Sequence, residues 1–201
     1  MVRSAQLRRD EDLERRIARL LDEGDRRAAA AEAVRGYRDA VLRYLMQLCQ
    51  DVDAAQEVFA RTCEKLWKGI AGYRRECAMA TWLHHLAWNA TRDYLREARH
   101  RRERRLATTE AAKVAAEVRV STARFLKSAA RDRLAKLKQS LDVEDRSLLV
   151  LRIERQLSFK QIAEVMSEPG RPLDEGTVRK RFERLKNRLR RLAEAEGLLD
   201  S

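Results

Sequence analysis

Basic side chains at helical spacing near the C-terminus carry the clearest chemistry in this chain. In Gly176-Thr-Val-Arg-Lys-Arg-Phe-Glu-Arg-Leu-Lys-Asn-Arg-Leu-Arg190, Val178, Phe182, Leu185 and Leu189 form one apolar stripe. The charged residues between them must therefore face away from it. Guanidinium and ammonium groups donate hydrogen bonds to phosphate and to base edges. At the start of this helix, Glu175, Arg179, Lys180 and Glu183 are the candidates for base edges. Thr177, Arg181, Arg184 and Lys186 are better placed for phosphates, which position a protein on DNA without specifying sequence. Just upstream, Ser158-Phe-Lys-Gln-Ile-Ala-Glu-Val-Met166 reads as a short helix opened by a Ser158/Gln161 capping box, with Lys160 near its start as a further backbone contact. Glu168-Pro-Gly-Arg-Pro172 breaks the chain between the two. A short helix, a turn and a basic second helix make a helix-turn-helix, whose second helix enters the major groove.

The overall balance agrees. Forty-four Lys and Arg against 32 Asp and Glu leave a net charge of +12, and the isoelectric point is near 10.2. Such a charge attracts polyanions, nucleic acid first among them. It is unevenly spread: 96–105 and 179–191 are strongly basic, whereas 10–25 and 51–64 hold most of the acidic character. Arg-rich helices also occur as merely solvated faces, but the asymmetry points to separate surfaces for separate partners. Enzyme signatures are missing: there is no phosphate loop, no His-Glu-x-x-His and no spaced Ser/His/Asp set. His84-His85 with Cys77 makes a poor metal cage, because adjacent helical residues point about 100° apart. No cofactor and no metal are expected. The odd count of three cysteines, Cys49, Cys63 and Cys77, argues against a disulfide framework. No apolar run reaches membrane-spanning length and the N-terminus lacks a signal-peptide core, so a cytoplasmic protein without membrane insertion is expected.

The elements that must position these groups are helical. Two prolines and seven glycines leave few tight turns, and Ala, Leu, Arg and Glu dominate. No stretch alternates as a strand would. Apolar spacing predicts a helix over about 11–21 and a second after Asp25, carrying Val34, Tyr37, Val41, Leu42, Leu45 and Leu48. A third follows Asp51 or Asp53 and presents Ala55, Val58, Phe59, Leu66 and Trp67. Lys68 to Cys77 reads as a loop. A fourth helix begins near Met79 or Ala80, buries Trp82, Leu83, Leu86 and Leu95, and turns basic beyond Arg96. The fold class is all-α: an N-terminal four-helix bundle-like domain over 1–106, a flexible linker over 107–128 and a small helical domain over 129–201 that ends in the helix-turn-helix. In that second domain Leu134, Leu137 and Leu141 share a face, and Asp142 caps a helix carrying Leu148, Leu149, Leu151 and Ile153.

On these residues the chain resembles a bacterial alternative sigma factor of the extracytoplasmic-function (ECF) type. Asp53-Ala-Ala-Gln-Glu-Val-Phe59 is similar to the polymerase-binding motif of region 2. Tyr73 to Arg96 is similar to the promoter-melting part of that region, and Leu141 to Leu192 to region 4. The resemblance implies docking on core RNA polymerase through Asp53, Gln56 and Glu57. It implies capture of an unstacked −10 base by the loop Tyr73–Ala80, with Arg74 and Arg75, and by Asn89. Arg92, Arg96 and Arg99 would follow the phosphates, and Arg101 and Arg102 extend that run. The helix-turn-helix would read the −35 element as duplex. Tryptophans at the spacing of Trp82 and Trp88 are more often core than stacking platforms.

Two departures stand out. Glu168–Pro172 is longer than the family's turn and offers Arg171 as a new phosphate contact, and Ala54-Ala55 replaces larger aliphatic residues. The linker, with Thr108, Thr109 and Glu110, suits either threading through polymerase or a plain tether. The implied partners are core RNA polymerase, promoter DNA and an anti-sigma factor. The free chain is expected to be monomeric, its two domains clamped to each other or to an inhibitor. A stand-alone helix-turn-helix regulator is the alternative, but it leaves the N-terminal bundle without a task.

Overall fold

Asp25 and Asp51 each accept a hydrogen bond from the amide three residues on (Ala28 at 2.9 Å, Ala54 at 2.8 Å), and these caps set the starts of two helices. The computed structural model describes residues 2–106, 141–168 and 170–195. Its helices are α1 (Val2–Asp22), α2 (Arg26–Cys49), α3 (Val52–Gly69), α4 (Met79–Leu106), α5 (Val143–Leu149), α6 (Phe159–Met166) and α7 (Glu175–Ala195). A 3-10 turn (Ile70–Gly72) follows α3 and a π-turn (Val150–Glu154) follows α5. No strand occurs among the described residues, as the all-α reading expected; Glu168 and Arg171 form one isolated bridge. The linker, with Thr108, Thr109 and Glu110, and the Leu134/Leu137 face lie outside the described residues.

α1 begins well before the 11–21 span that apolar spacing predicts. Its first turns are built from helix formers with no apolar stripe, so periodicity registers only the part that buries Leu13 and Ile17. α2 runs through the centre of the N-terminal half, packed on α1, α3 and α4. Ala29, Ala33, Tyr37, Val41, Tyr44, Leu45 and Leu48 are all buried along it. Its alanines and Gly36 let α1 approach closely. A Cβ on Gly36 would come within 2.2 Å of Leu13 Cδ2. Gly36→Ala is therefore expected to cost about 1 kcal/mol net, read as a lowered urea midpoint: overpacking at about 1–3 kcal/mol outweighs about 1 kcal/mol of gained helix propensity. A stabilised variant would show that Leu13 simply moves aside.

In the C-terminal half, Leu148, Leu151, Ile162, Val165, Val178, Phe182 and Leu185 make the core. Asp142 caps α5 through the Asp145 amide (2.7 Å), and Ser158 and Gln161 form the full capping box of α6. Two expectations of burial fail. Ile153 is 57% exposed, because the π-turn closed by Arg155 N–H on Val150 O (3.0 Å) inserts a residue and rotates the helical register. Trp67 is 48% exposed on α3, one residue past the buried Leu66.

The two halves meet along one seam. α4 packs on α6 and α2 on α5. At its centre Tyr44 Oη and Ser147 Oγ share a buried hydrogen bond of 2.7 Å, and Arg146 Nη2 donates to Leu48 O at 2.9 Å. Clamping of the domains onto each other, one of the two expected resting forms, is the arrangement present.

Candidate functional site

Asp53, Gln56 and Glu57 all lie exposed along the first turns of α3. They project from one side of the helix because Ala54, Ala55 and Val58 are buried on the other. Ala54 and Ala55 thus belong to the packed face, where small side chains keep α3 close to α2. Arg61 holds this region to α4: Nη1 lies 3.0 Å from both Glu97 oxygens and Nη2 2.7 Å from Glu57. Exposed Val52 directly precedes Asp53 on the same helix. The result is a face of carboxylate, amide and apolar surface, suited to a partner helix bearing arginine.

The loop before α4 is positioned by α1, which sequence reasoning assigned no such role. Ala78 cannot cap a helix with its side chain. The carboxylate of Glu14 does so from a distance, accepting from the Met79 and Ala80 amides at 3.0 Å each and from Tyr37 Oη at 2.6 Å. Burial and the Glu14 charge push the Tyr37 phenol well above its ordinary pKa, so it stays a donor. Only a carboxylate within the buried stripe of α1, at Glu14 between Leu13 and Ile17, hinted at this. Arg75, at φ 59°, pairs with Asp22 of α1 at 2.8 Å. Tyr73 stacks on Trp82 (centroids 4.8 Å apart, 24° between planes) and donates to Cys77 O at 2.6 Å. Arg74 is exposed between these fixed points.

Along α4 the candidate residues divide. Asn89 is half-buried, and its Nδ2 donates to His85 Nε2 at 2.9 Å. That bond orients the amide and leaves Oδ1 and the second Nδ2–H for a base edge. Arg92 pairs with Glu168 of the C-terminal half at 2.7 Å. Arg96 is exposed and paired with Asp93 at 2.8 Å, and Arg99 is exposed. Trp88 is core, 2% exposed, whereas Trp82 is half-buried under Tyr73. His84 and His85 turn to different sides, and no group of three or more metal-binding side chains occurs among the described residues.

On α7, Glu175, Thr177, Arg179, Lys180, Glu183, Arg184 and Lys186 are all exposed, with Lys160 exposed on α6. Asp174 caps the helix, accepting from the Thr177 hydroxyl and from the Thr177 amide at 2.9 Å, and these hydrogen bonds hold its carboxyl below the usual range. Arg181 stands apart. It is half-buried and bonded to Asp145 (2.7 Å) and Asp142 (3.0 Å), so its guanidinium braces α7 on α5. The Glu168–Pro172 turn leaves Arg171 exposed, with its backbone bridged to Glu168.

Residues 33–101 match the family described as sigma-70 region 2. This span runs from α2 to the basic part of α4 and includes the α3 face, the loop and Asn89. That segment is a sigma-70 region 2. Solved structures similar to it include the sigma factor RpoE in complex with the anti-sigma factor NepR from Bartonella quintana. The match has a TM-score of 0.51 at 20% identity and covers 78% of this chain and 91% of that one. At that identity the likeness is one of fold, and it extends past region 2 into the second half of this chain. Two helical bodies follow in order, the first holding the region 2 match and the second ending in a helix-turn-helix. Among curated proteins none matches the chain.

Proposed function

We propose that this protein is a sigma factor of the ECF type that docks on core RNA polymerase through Asp53, Gln56 and Glu57, captures the −10 strand with Tyr73, Arg74, Arg75 and Asn89, and reads the −35 duplex with α7. Arg92, Arg96 and Arg99 follow the −10 phosphates. On α7, Arg179 and Lys180 lead the base contacts with Glu175 and Glu183; Thr177, Arg184 and Lys186, with Lys160, hold the backbone. The observation that carries the reading is that a region 2 match spans the exposed α3 face and the braced loop together. Such a protein catalyses nothing: it positions a strand and lends promoter choice to the polymerase. It acts in the cytosol, where polymerase and promoters are, and no helix among the described residues is long and apolar enough to cross a membrane. An anti-sigma factor is a further partner in this reading, by analogy with the NepR-bound neighbour.

The test is transcription in vitro by purified core polymerase on a library of promoter fragments, with and without the protein. New start sites sharing two upstream elements are the expected result. Asn89→Ala should lower initiation about tenfold while binding core as tightly as the parent, since one well-made pair to a base edge is worth about 1–3 kcal/mol. A protein that shifts duplex DNA alone and directs no initiation would instead be a stand-alone regulator.

A further inference from the structure

α1 lies outside the region 2 match, which begins at residue 33, yet one face of it holds the loop assigned to the −10 strand at two points. Glu14, Ala18 and Asp22 follow at four-residue steps, so they line one side of the helix. At the far end of the loop Glu14 accepts from the Met79 amide through Oε2 and from the Ala80 amide through Oε1, each at 3.0 Å. Nearer its start, Arg75 pairs with Asp22 at 2.8 Å and donates to Ala18 O at 3.4 Å. Arg75 has φ 59°, a conformation that residues other than glycine keep only where their surroundings impose it. Apolar packing against α1 does not supply that constraint. Between the two anchors an open cleft of about 360 Å³, lined by Ile17, Leu21, Tyr73 and Cys77, separates the loop from the helix.

We infer that Glu14, with Asp22 as a second anchor, is a positioning residue for −10 base discrimination, so that α1 sets the loop's shape before a base arrives. The inference rests on the sigma reading above. Glu14 touches no base in it. Its carboxylate is engaged by three donors of this chain: the two amides and the hydroxyl of Tyr37, buried on α2, at 2.6 Å. A glutamine has the same shape but a single oxygen. Whichever way its amide is turned, the NH2 group faces at least one of those donors, so the helix cap and the Tyr37 bond cannot all be kept. The loop runs directly into the helix that carries Asn89. A shift at the first turn of α4 therefore changes the spacing between the loop and Asn89, and a base held between the two is told from another by that spacing.

Holoenzymes assembled from purified core and either the parent or Glu14→Gln test this. They are compared on a promoter recovered from the fragment library and on derivatives with single-base substitutions in its −10 or −35 element. In Glu14→Gln the loss of initiation caused by a −10 substitution is expected to shrink at least about threefold, because a well-placed pair to a base edge discriminates about 5- to 150-fold and depends on its geometry. The loss caused by a −35 substitution and the affinity for core should not change. Val41→Ala empties part of the buried stripe of α2 and leaves every bond between α1 and the loop in place, so it controls for lost stability and should keep both losses at their parental size. An unchanged −10 response in Glu14→Gln, or an equal change in Val41→Ala, would overturn the inference. Asp22→Ala cuts only the exposed anchor and carries the same test in a protein that keeps its core; its −10 response is expected to shrink about twofold, and no change there counts equally against α1. If the parent itself directs no initiation, the sigma reading fails and takes this inference with it, whereas an active parent with unaltered discrimination in the variants defeats the inference alone.

Discussion

Lowering the pH from 7 to 5 is expected to destabilise this protein by about 2 kcal/mol through one residue, His84, and His84→Phe should remove most of that dependence. His84 lies on α4 and is only 2% exposed. Its Nδ1 lies 2.7 Å from Ala80 O, an acceptor, so the proton sits there and Nε2 has only a lone pair. Nε2 is buried without a hydrogen-bond partner, and the ring meets Tyr44 edge-on with centroids 5.3 Å apart. Protonation would place a cation in this interior with nothing to accept the new N–H, and with the Arg155 guanidinium nearby. Burial first, and the Arg155 charge second, push the imidazole down to about 4.

The sign follows from where the proton goes. Between pH 6.5 and about 4 the unfolded chain binds a proton at His84 that the folded chain refuses. Stability from this group is complete above 6.5, falls as the pH drops, and levels off below about 4. Most carboxylates stay ionised at pH 5, which makes that pH a clean comparison with 7. Urea unfolding at both values, in the parent and in His84→Phe, reads the effect directly. Phenylalanine keeps the edge contact with Tyr44 and has nothing to titrate. An equal loss of stability in both proteins would show that the dependence arises elsewhere.

What the sequence disclosed and what it hid differ by range. Caps at Asp25, Asp142 and Ser158 were legible because each acts on an amide three residues away. The buried stripes of α2 and α7 were legible because burial leaves a helical period. Glu14 was not, since its partners at Met79 and Ala80 are 65 and 66 residues off, and a carboxylate on an amphipathic helix ordinarily just faces water. Ile153 was misjudged because a π-turn leaves no mark on apolar spacing until after the helix has slipped. Arg181 looked like any arginine on the basic side of α7, yet Asp142 and Asp145 claim it. The −10 candidates were placed by type; the pairing of Arg92 with Glu168 is a contact across the seam, for which one helix's sequence has no signal, whereas Asn89 and His85 pair one turn apart within α4.

Trp88→Ala should have the largest effect on stability, about 3–5 kcal/mol, because it empties a fully packed indole site. The ring is 2% exposed, the Arg92 guanidinium lies 6.0 Å from its centroid, and its N–H is bonded to Met166 O. Those contacts belong to both halves, which makes the loss distinctive. Trp88→Phe retains much of the packing but leaves Met166 O unpaired, and should cost nearer 1 kcal/mol from the bond alone. If the indole holds the seam together, amide exchange will quicken in α6 as well as α4 in the alanine variant, because α6 loses the end contact that α4 supplies. A tryptophan serving only the N-terminal core would quicken exchange in α2 and α4 and leave α6 unchanged. Exchange measured segment by segment therefore separates a shared side chain from an ordinary core residue, and the α6 amides decide between them.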